Sequence, residues 1–449
     1  MVEPHELPRW LHQLGEKAAQ PGFDRWRQMV ESTGGCSNPI RLIGQTTTVD
    51  SATGEILGSY STHDEPTGYL LTACGNRRAS RCESCARVYA DDTFHLIKSG
   101  LAGGRDVPES VSAHPRVFVT FTAPSFGPVH SRAVDARGRV RPCHPRNEGP
   151  SCRQRHAEGD PRLGHAIDPA SYDYRGAVLW NNQAGELWHV FTVYLRRQLA
   201  EAVGVARSKL NTVLRVEYAK VAEYQARGVI HFHAVIRLDG PGGPTEPPPF
   251  GVDLEVLSEA IEAAARASQV EMRDFTVRWG RQLDVRPIET NATWTDQRVA
   301  RYIAKYATKG AEAAGTVDRP LRTIKHLHRV RGLSPQARAM IETCWDLGPS
   351  LRQWAHMLGY GGHFTTKSRR YSTTLGTMRR DRARYRADEA RSFAGLEPLP
   401  DTPVERVGAW QVAGTGYRTI SEHTWAEMIR EQKRHRPLPR RPETDQQAS

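Results

Sequence analysis

His231 and His233 stand one residue apart inside an apolar, β-branched run, Gly228-Val229-Ile230-His231-Phe232-His233-Ala234-Val235-Ile236. A strand sends residues i and i+2 to the same face, so two imidazoles leave one surface together. Upstream, residues 213–224 alternate apolar and polar, and Gln225-Ala226-Arg227-Gly228 carries a glycine suited to a tight reversal. The two runs are predicted to form a hairpin. Glu223, eight residues before His231, then falls near the end of the neighbouring strand, where a modest register choice or bulge brings its carboxylate beside the rings; Glu217 is the competing carboxylate. Two nitrogens and one carboxylate make an open set suited to Mn²⁺, Mg²⁺ or another divalent ion.

A second group lies further on. Tyr302, Tyr306 and Lys309 have offsets of four and seven, which puts them along one helix face. A phenol titrates near 10, so a nucleophilic tyrosine needs a neighbouring cation or metal that favours the phenolate. The plainer alternative is that both tyrosines are core or rim residues of an amphipathic helix. Taken with the histidine pair, the expected chemistry is attack of a phenolate on a phosphodiester beside a divalent ion, that is, nicking and rejoining of single-stranded DNA.

The cysteines suggest a different use of metal. Cys82-x-x-Cys85 has the spacing at which one turn points two thiolates at one ion, and Cys74 with Cys36 completes a tetrahedral set, so structural Zn²⁺ in a ribbon is expected. A redox role fits less well, because no thioredoxin-like βαβ pattern surrounds the pair. Cys143, Cys152 and His156 occur at irregular spacing in a stretch rich in Pro, Gly, Arg and His, which favours incidental cysteines in a loop over a second metal.

These groups need elements to hold them. Apolar periodicity predicts β(116–122), α(177–203), β(213–224), β(229–238), α(252–268), a strand pair or bent strand over 275–288, and α(295–309) opened by a Thr293-x-x-Asp296 cap. That order is the split β-α-β of an antiparallel, ferredoxin-like domain with one helix appended. The fold class is therefore α+β. Residues 1–112 are expected to hold an N-terminal helix and the zinc-ribbon-like region. The sheet domain should span 113–312 with an insertion at about 124–176. Helices resembling a helix-turn-helix reader of duplex DNA are expected over 313–391, and 392–449 reads as an extension with a disordered basic tail. Lys367, Arg369, Arg370, Arg379 and Arg380 form a basic stretch suited to phosphate.

The formal net charge is +12 over 449 residues, mostly from arginine, whose planar fork suits phosphate. Nucleic acid is the expected partner. No apolar run approaches the roughly 18 residues that span a bilayer, and no leader pattern opens the chain, so a cytoplasmic protein with no membrane partner is expected.

Three segments resemble the motifs of HUH endonucleases: Phe118-Val119-Thr120-Phe121-Thr122, His231-Phe232-His233 and Tyr306-Ala307-Thr308-Lys309. The histidine pair precedes the tyrosine, as in rolling-circle replication initiators. The stretches ACGNRRASRCESC, FTAPSFGPVH, GVIHFHAVIRLDG and ARYIAKYATK are similar to the initiators of actinobacterial plasmids and integrative elements, the RepSA-like group, over roughly residues 36–375. The resemblance implies that His231 and His233 bind the metal, that Tyr306 is the nucleophile and that Lys309 is its motif partner, with Glu223 at the spacing of a third ligand. Tyr302 precedes Lys305 at the same spacing, a second Tyr-x-x-Lys frame that suits a second transfer or simple packing. Origin DNA, single- and double-stranded, and a host helicase and polymerase are the implied partners, since no GK[ST] phosphate loop is present. A single-strand transposase and a non-catalytic DNA-binding regulator are the alternatives.

Overall fold

A computed structural model describes residues 9–288, 295–317, 319–327, 329–393, 395, 397 and 404–435. The chain forms two compact units, Met1–Tyr89 with Met378–Ser449, and Ala90–Thr377. Both hold mixed helix and antiparallel sheet.

The expected N-terminal helix is broken by Pro21 and Gly22 (φ +82°) into α1 (Arg9–Ala18) and α2 (Phe23–Ser32). β1 (Ile40–Asp50), β2 (Ile56–Ser61) and β3 (Leu70–Thr72) follow, and α3 (Glu83–Ala102) leads into the second unit.

In that unit β4 (Arg116–Phe121) is joined to α4 (Tyr174–Ala202) by the insertion, which carries only isolated β-bridges. β5 (Arg215–Tyr224) and β6 (Ile230–Asp239) form the expected hairpin, and α5 (Leu254–Ala267) comes next. The strand pair or bent strand expected over 275–288 is two separate strands. β7 (Gln269–Glu271) and β8 (Thr276–Arg278) pair as a ribbon of their own, and only β9 (Leu283–Pro287) joins the main sheet. α6 (Asp296–Ala307) is capped by the Thr295 hydroxyl, which accepts from Arg298 N; the Thr293 cap lies outside the described residues.

The sheet order is β10-β5-β6-β4-β9 and every pairing is antiparallel. β4 and β5 are separated by β6, so the β4-α4-β5 connection is split by the strand that follows it. Val117, Val119, Phe121, Ile230, Phe232 and Ala234 point to the face covered by α4 and α5 and form the main core. The opposite face carries α6.

After α6 come α7 (Ile324–Leu327), α8 (Pro335–Asp346) and α9 (Pro349–Arg352). The second helix of the expected helix-turn-helix is replaced by a strand, β10 (Thr365–Lys367), which extends the main sheet beside β5. The open edge of β5 offers unpaired backbone groups, and Ala222 N donates to Phe364 O at 2.7 Å. α10 (Leu375–Phe393) then leads back to the first unit.

There the expected loose extension is instead β11 (Val404–Thr415) and α11 (Ile420–His435). β11 pairs with β1 along its whole length, from Ile40↔Thr415 to Asp50↔Val404. Its partner lies more than three hundred residues upstream, so nothing local could announce the pairing. α11 adds Ala426 to a small core of Trp26, Met29, Val30, Tyr69 and Leu71. The rest of the basic tail, from 436, lies outside the described residues.

Candidate active site

The β5–β6 register sets Glu223 directly opposite His231, while His233 stands between Val221 on β5 and Thr120 on β4. No bulge is needed. Glu223 Oε2 lies 3.0 Å from His231 Nε2 and 3.0 Å from His233 Nε2. The three side chains present ligand atoms within 4.8 Å of one another. Burial pushes the Glu223 carboxyl up, but the hydrogen bonds and charge of the two imidazoles outweigh it and leave it lowered to about 2. The carboxylate is ionised, as a metal ligand must be. Burial also pushes His233 down, toward the neutral form that coordinates metals.

The hairpin turn is held from below. Gly228 adopts φ +79°, and a side chain there would run into Met340 Sδ. The buried Asn181 amide of α4 donates to Gly228 O and Leu358 O and accepts from Ile230 N. Thr120, which the sequence reading did not single out, places Oγ1 3.1 Å from His233 Nδ1. Such a contact fixes the ring and leaves Nε2 for a ligand. Strand alternation could have found it, since Thr120 is the one hydroxyl within β4 and shares the face of the histidines.

Glu217 is not part of this cluster. It faces Arg237 in the register, accepts from Ser368 Oγ at 2.5 Å, and burial pushes its carboxyl up.

α6 lays both tyrosines against His233. The Tyr306 ring stacks on His233 at 5.4 Å and 28°, and Tyr302 meets His233 edge-on at 5.1 Å. Tyr302 also packs against Phe118 at 5.5 Å; burial and its hydrogen bond with Tyr306 push its phenol well above the ordinary range. Lys309, just past the helix, donates from Nζ to Glu223 Oε1 at 3.2 Å and sits 4.4 Å from the Tyr306 ring centroid. The start of α6 is anchored by a salt bridge of 2.5 Å between Asp296 and Arg116 of β4, whose guanidinium is buried.

In the other unit the four expected cysteines meet and can hold a metal ion. A tetrahedral ion with metal–sulfur bonds of about 2.3 Å spaces its sulfurs by about 3.8 Å. The Cys74–Cys85 and Cys36–Cys82 sulfurs are 3.7 and 3.8 Å apart. Backbone amides of Ser37 and Cys74 donate to Cys82 and Cys36, as they would to thiolates.

The proposed DNA-contact residues are divided. Lys367 donates from its half-buried amine to the carbonyls of Ser368, Arg369 and Ser372, and burial pushes it down. Arg369 and Arg370 follow the edge strand and are exposed; Arg379 and Arg380 are exposed on α10 in the other unit. The structure also gathers Cys143, Cys152 and His156, expected to be incidental, together with His130.

Comparison with known proteins places the chain among those that initiate replication. It belongs to the RepSA family, described as replication initiator protein, pSAM2, whose family model matches residues 22–431. A curated replication initiator protein of Streptomyces ambofaciens is 47% identical over 428 residues, covering 91% of this chain and 90% of that protein. No solved structure matches the chain. No described helix is long and apolar enough to cross a membrane.

Proposed function

We propose that the chain nicks and rejoins single-stranded origin DNA in the rolling-circle replication of a plasmid, using Tyr306 as nucleophile in a ferredoxin-like HUH domain. The observation that carries this is the stacking of Tyr306 on His233 while Lys309 spans from the same ring to Glu223. The split β4-α4-β5 connection and the β9-β4-β6-β5 order support the fold.

Glu223, His231 and His233 would hold a Mn²⁺ or Mg²⁺ ion, which supplies Lewis-acid polarisation of a phosphodiester oxygen when bound. Tyr306 loses its phenolic proton to water and its oxygen bonds to phosphorus. The bond from phosphorus to the 3′ oxygen breaks, and that oxygen takes up a proton. The products are a 5′-phosphotyrosine and a free 3′ hydroxyl, which suits extension by a host polymerase after unwinding by a host helicase in the cytoplasm. Lys309 places positive charge beside the phenolate. Tyr302, with its phenol pushed up and packed against Phe118, is the weaker nucleophile and is retained only for a second transfer. The four-cysteine cluster would hold structural Zn²⁺, and Arg369, Arg370, Arg379 and Arg380 would contact phosphate.

A denaturing gel of the protein with labelled single-stranded origin oligonucleotide tests the reading. A covalent band is expected with Mn²⁺, absent with EDTA, absent in Tyr306→Phe and retained in Tyr302→Phe. Loss only in Tyr302→Phe would move the nucleophile one turn back. No band with any origin strand would overturn the enzyme.

A further inference from the structure

The insertion between β4 and α4 lacks regular strands or helices and few of its apolar side chains are buried, yet it is folded onto itself at one point. His130, Cys143, Cys152 and His156 present ligand atoms within 4.8 Å of one another. We propose that these four side chains form a second, tetrahedral Zn²⁺ site, separate from the four-cysteine cluster and from the Glu223–His231–His233 group.

The orientation of His156 is the strongest indication. The residue is 2% exposed. Its Nδ1 lies 2.7 Å from Asp160 Oδ2, and Asp160 is itself held by Arg162 Nη2 at 2.7 Å. Asp160 accepts from the Arg162 guanidinium through both carboxylate oxygens as well as from His156, so Nδ1 is the imidazole nitrogen that carries the proton. The Nε2 lone pair is then bare. It points at His130 Nδ1, 3.2 Å away, and at Cys152 Sγ, 3.5 Å away. A carboxylate behind an imidazole whose other nitrogen faces two more soft ligands is the usual second layer of a zinc site.

Spacing agrees. A tetrahedral zinc with bonds of about 2.0–2.3 Å separates its ligands by about 3.3–3.8 Å. Cys143 completes the set and receives a backbone hydrogen bond from Ser131 N at 3.1 Å, the donor a thiolate would use. The four ligands come from both arms of the 144↔152 bridge and from the segment next to β4, so one ion would tie three parts of a loop that has little core of its own. The tied loop lines a groove of about 910 Å³, to which it contributes Arg132, His144 and Arg146 alongside Arg281 and Gln225.

The test is the zinc content of the full-length protein by native mass spectrometry, after a weak chelator has cleared exchangeable ions. Cys143→Ser/Cys152→Ser is expected to carry one zinc fewer than wild type, while Cys36→Ser/Cys82→Ser loses a different one. Equal zinc content in wild type and Cys143→Ser/Cys152→Ser would overturn the site, as would a wild-type mass lower by two hydrogens from a Cys143–Cys152 disulfide. Should the double variant fail to fold, His156→Cys keeps the donor count. It is expected to retain wild-type zinc content and, with Co²⁺ in place of zinc, to show a stronger thiolate charge-transfer band. An unchanged band sinks the proposal.

Discussion

The two faces of the β5–β6 hairpin are built from alternate residues of the same strands and serve opposite ends. One face sends Glu223, His231 and His233 toward α6, and the other sends Lys220, Ala222 and Phe232 into the core beneath α4. His231, Phe232 and His233 are consecutive, yet Phe232 meets Trp188 and Trp279 while its neighbours meet Glu223 and the tyrosines. The pleat alone separates the candidate site from the core here. Substitutions on the two faces should therefore fail in different ways.

The largest effect is expected on the core face. Phe232→Ala removes a fully buried ring and should cost about 3–5 kcal/mol in urea unfolding. On the other face, His231→Ala should lower the rate of covalent adduct formation by roughly a hundredfold or more, with a melting temperature close to wild type. A large loss of stability from His231→Ala would show that the two faces are not independent.

Lys220 sharpens the contrast, because it is a charge placed on the core face. It is 4% exposed, its Nζ lies 3.9 Å from the centroid of the Phe232 ring, and burial pushes it down to about 7. Below that pH both folded and unfolded chains carry the proton and the burial penalty is complete. Between about 7 and 10.5 the unfolded chain holds a proton that the folded chain has released, so stability rises with pH. Urea unfolding at pH 7 and 9.5 should show a gain of about 3 kcal/mol from this group in wild type that Lys220→Met lacks. Equal slopes in the two proteins would contradict this assignment.

The smallest expected effect is Thr120→Val. It keeps the strand and removes the contact to His233 Nδ1, so the Mn²⁺ concentration needed for half-maximal adduct should rise by roughly tenfold. An unchanged Mn²⁺ requirement would leave Thr120 a packing residue.

Much of the second unit was legible along the chain. Alternation placed β4, β5 and β6, the three-and-four spacing placed α4, α5 and α6, and the His-x-His spacing set both rings on one face. All of these depend on local periodicity, which a sequence carries directly. The same reading missed what depends on contacts between distant segments. β10 and β11 are strands because the open edge of β5 and the length of β1 await them, although their own sequences resemble a second helix after a Gly turn and a loose extension. The irregular spacing of Cys143, Cys152 and His156 hid a cluster that closes only when His130 folds back beside them.

The sequence by itself determined which residue types face together: two imidazoles on a strand, two phenols on a helix, and two thiols in a turn. Backbone geometry repeats every two or 3.6 residues, so these pairings follow from spacing. Only the tertiary structure decided between Glu223 and Glu217, brought Tyr306 over His233, and recruited Thr120, since each depends on strand register and helix placement. Register is set by which whole faces can be buried together, a property of the assembled sheet and not of any one stretch.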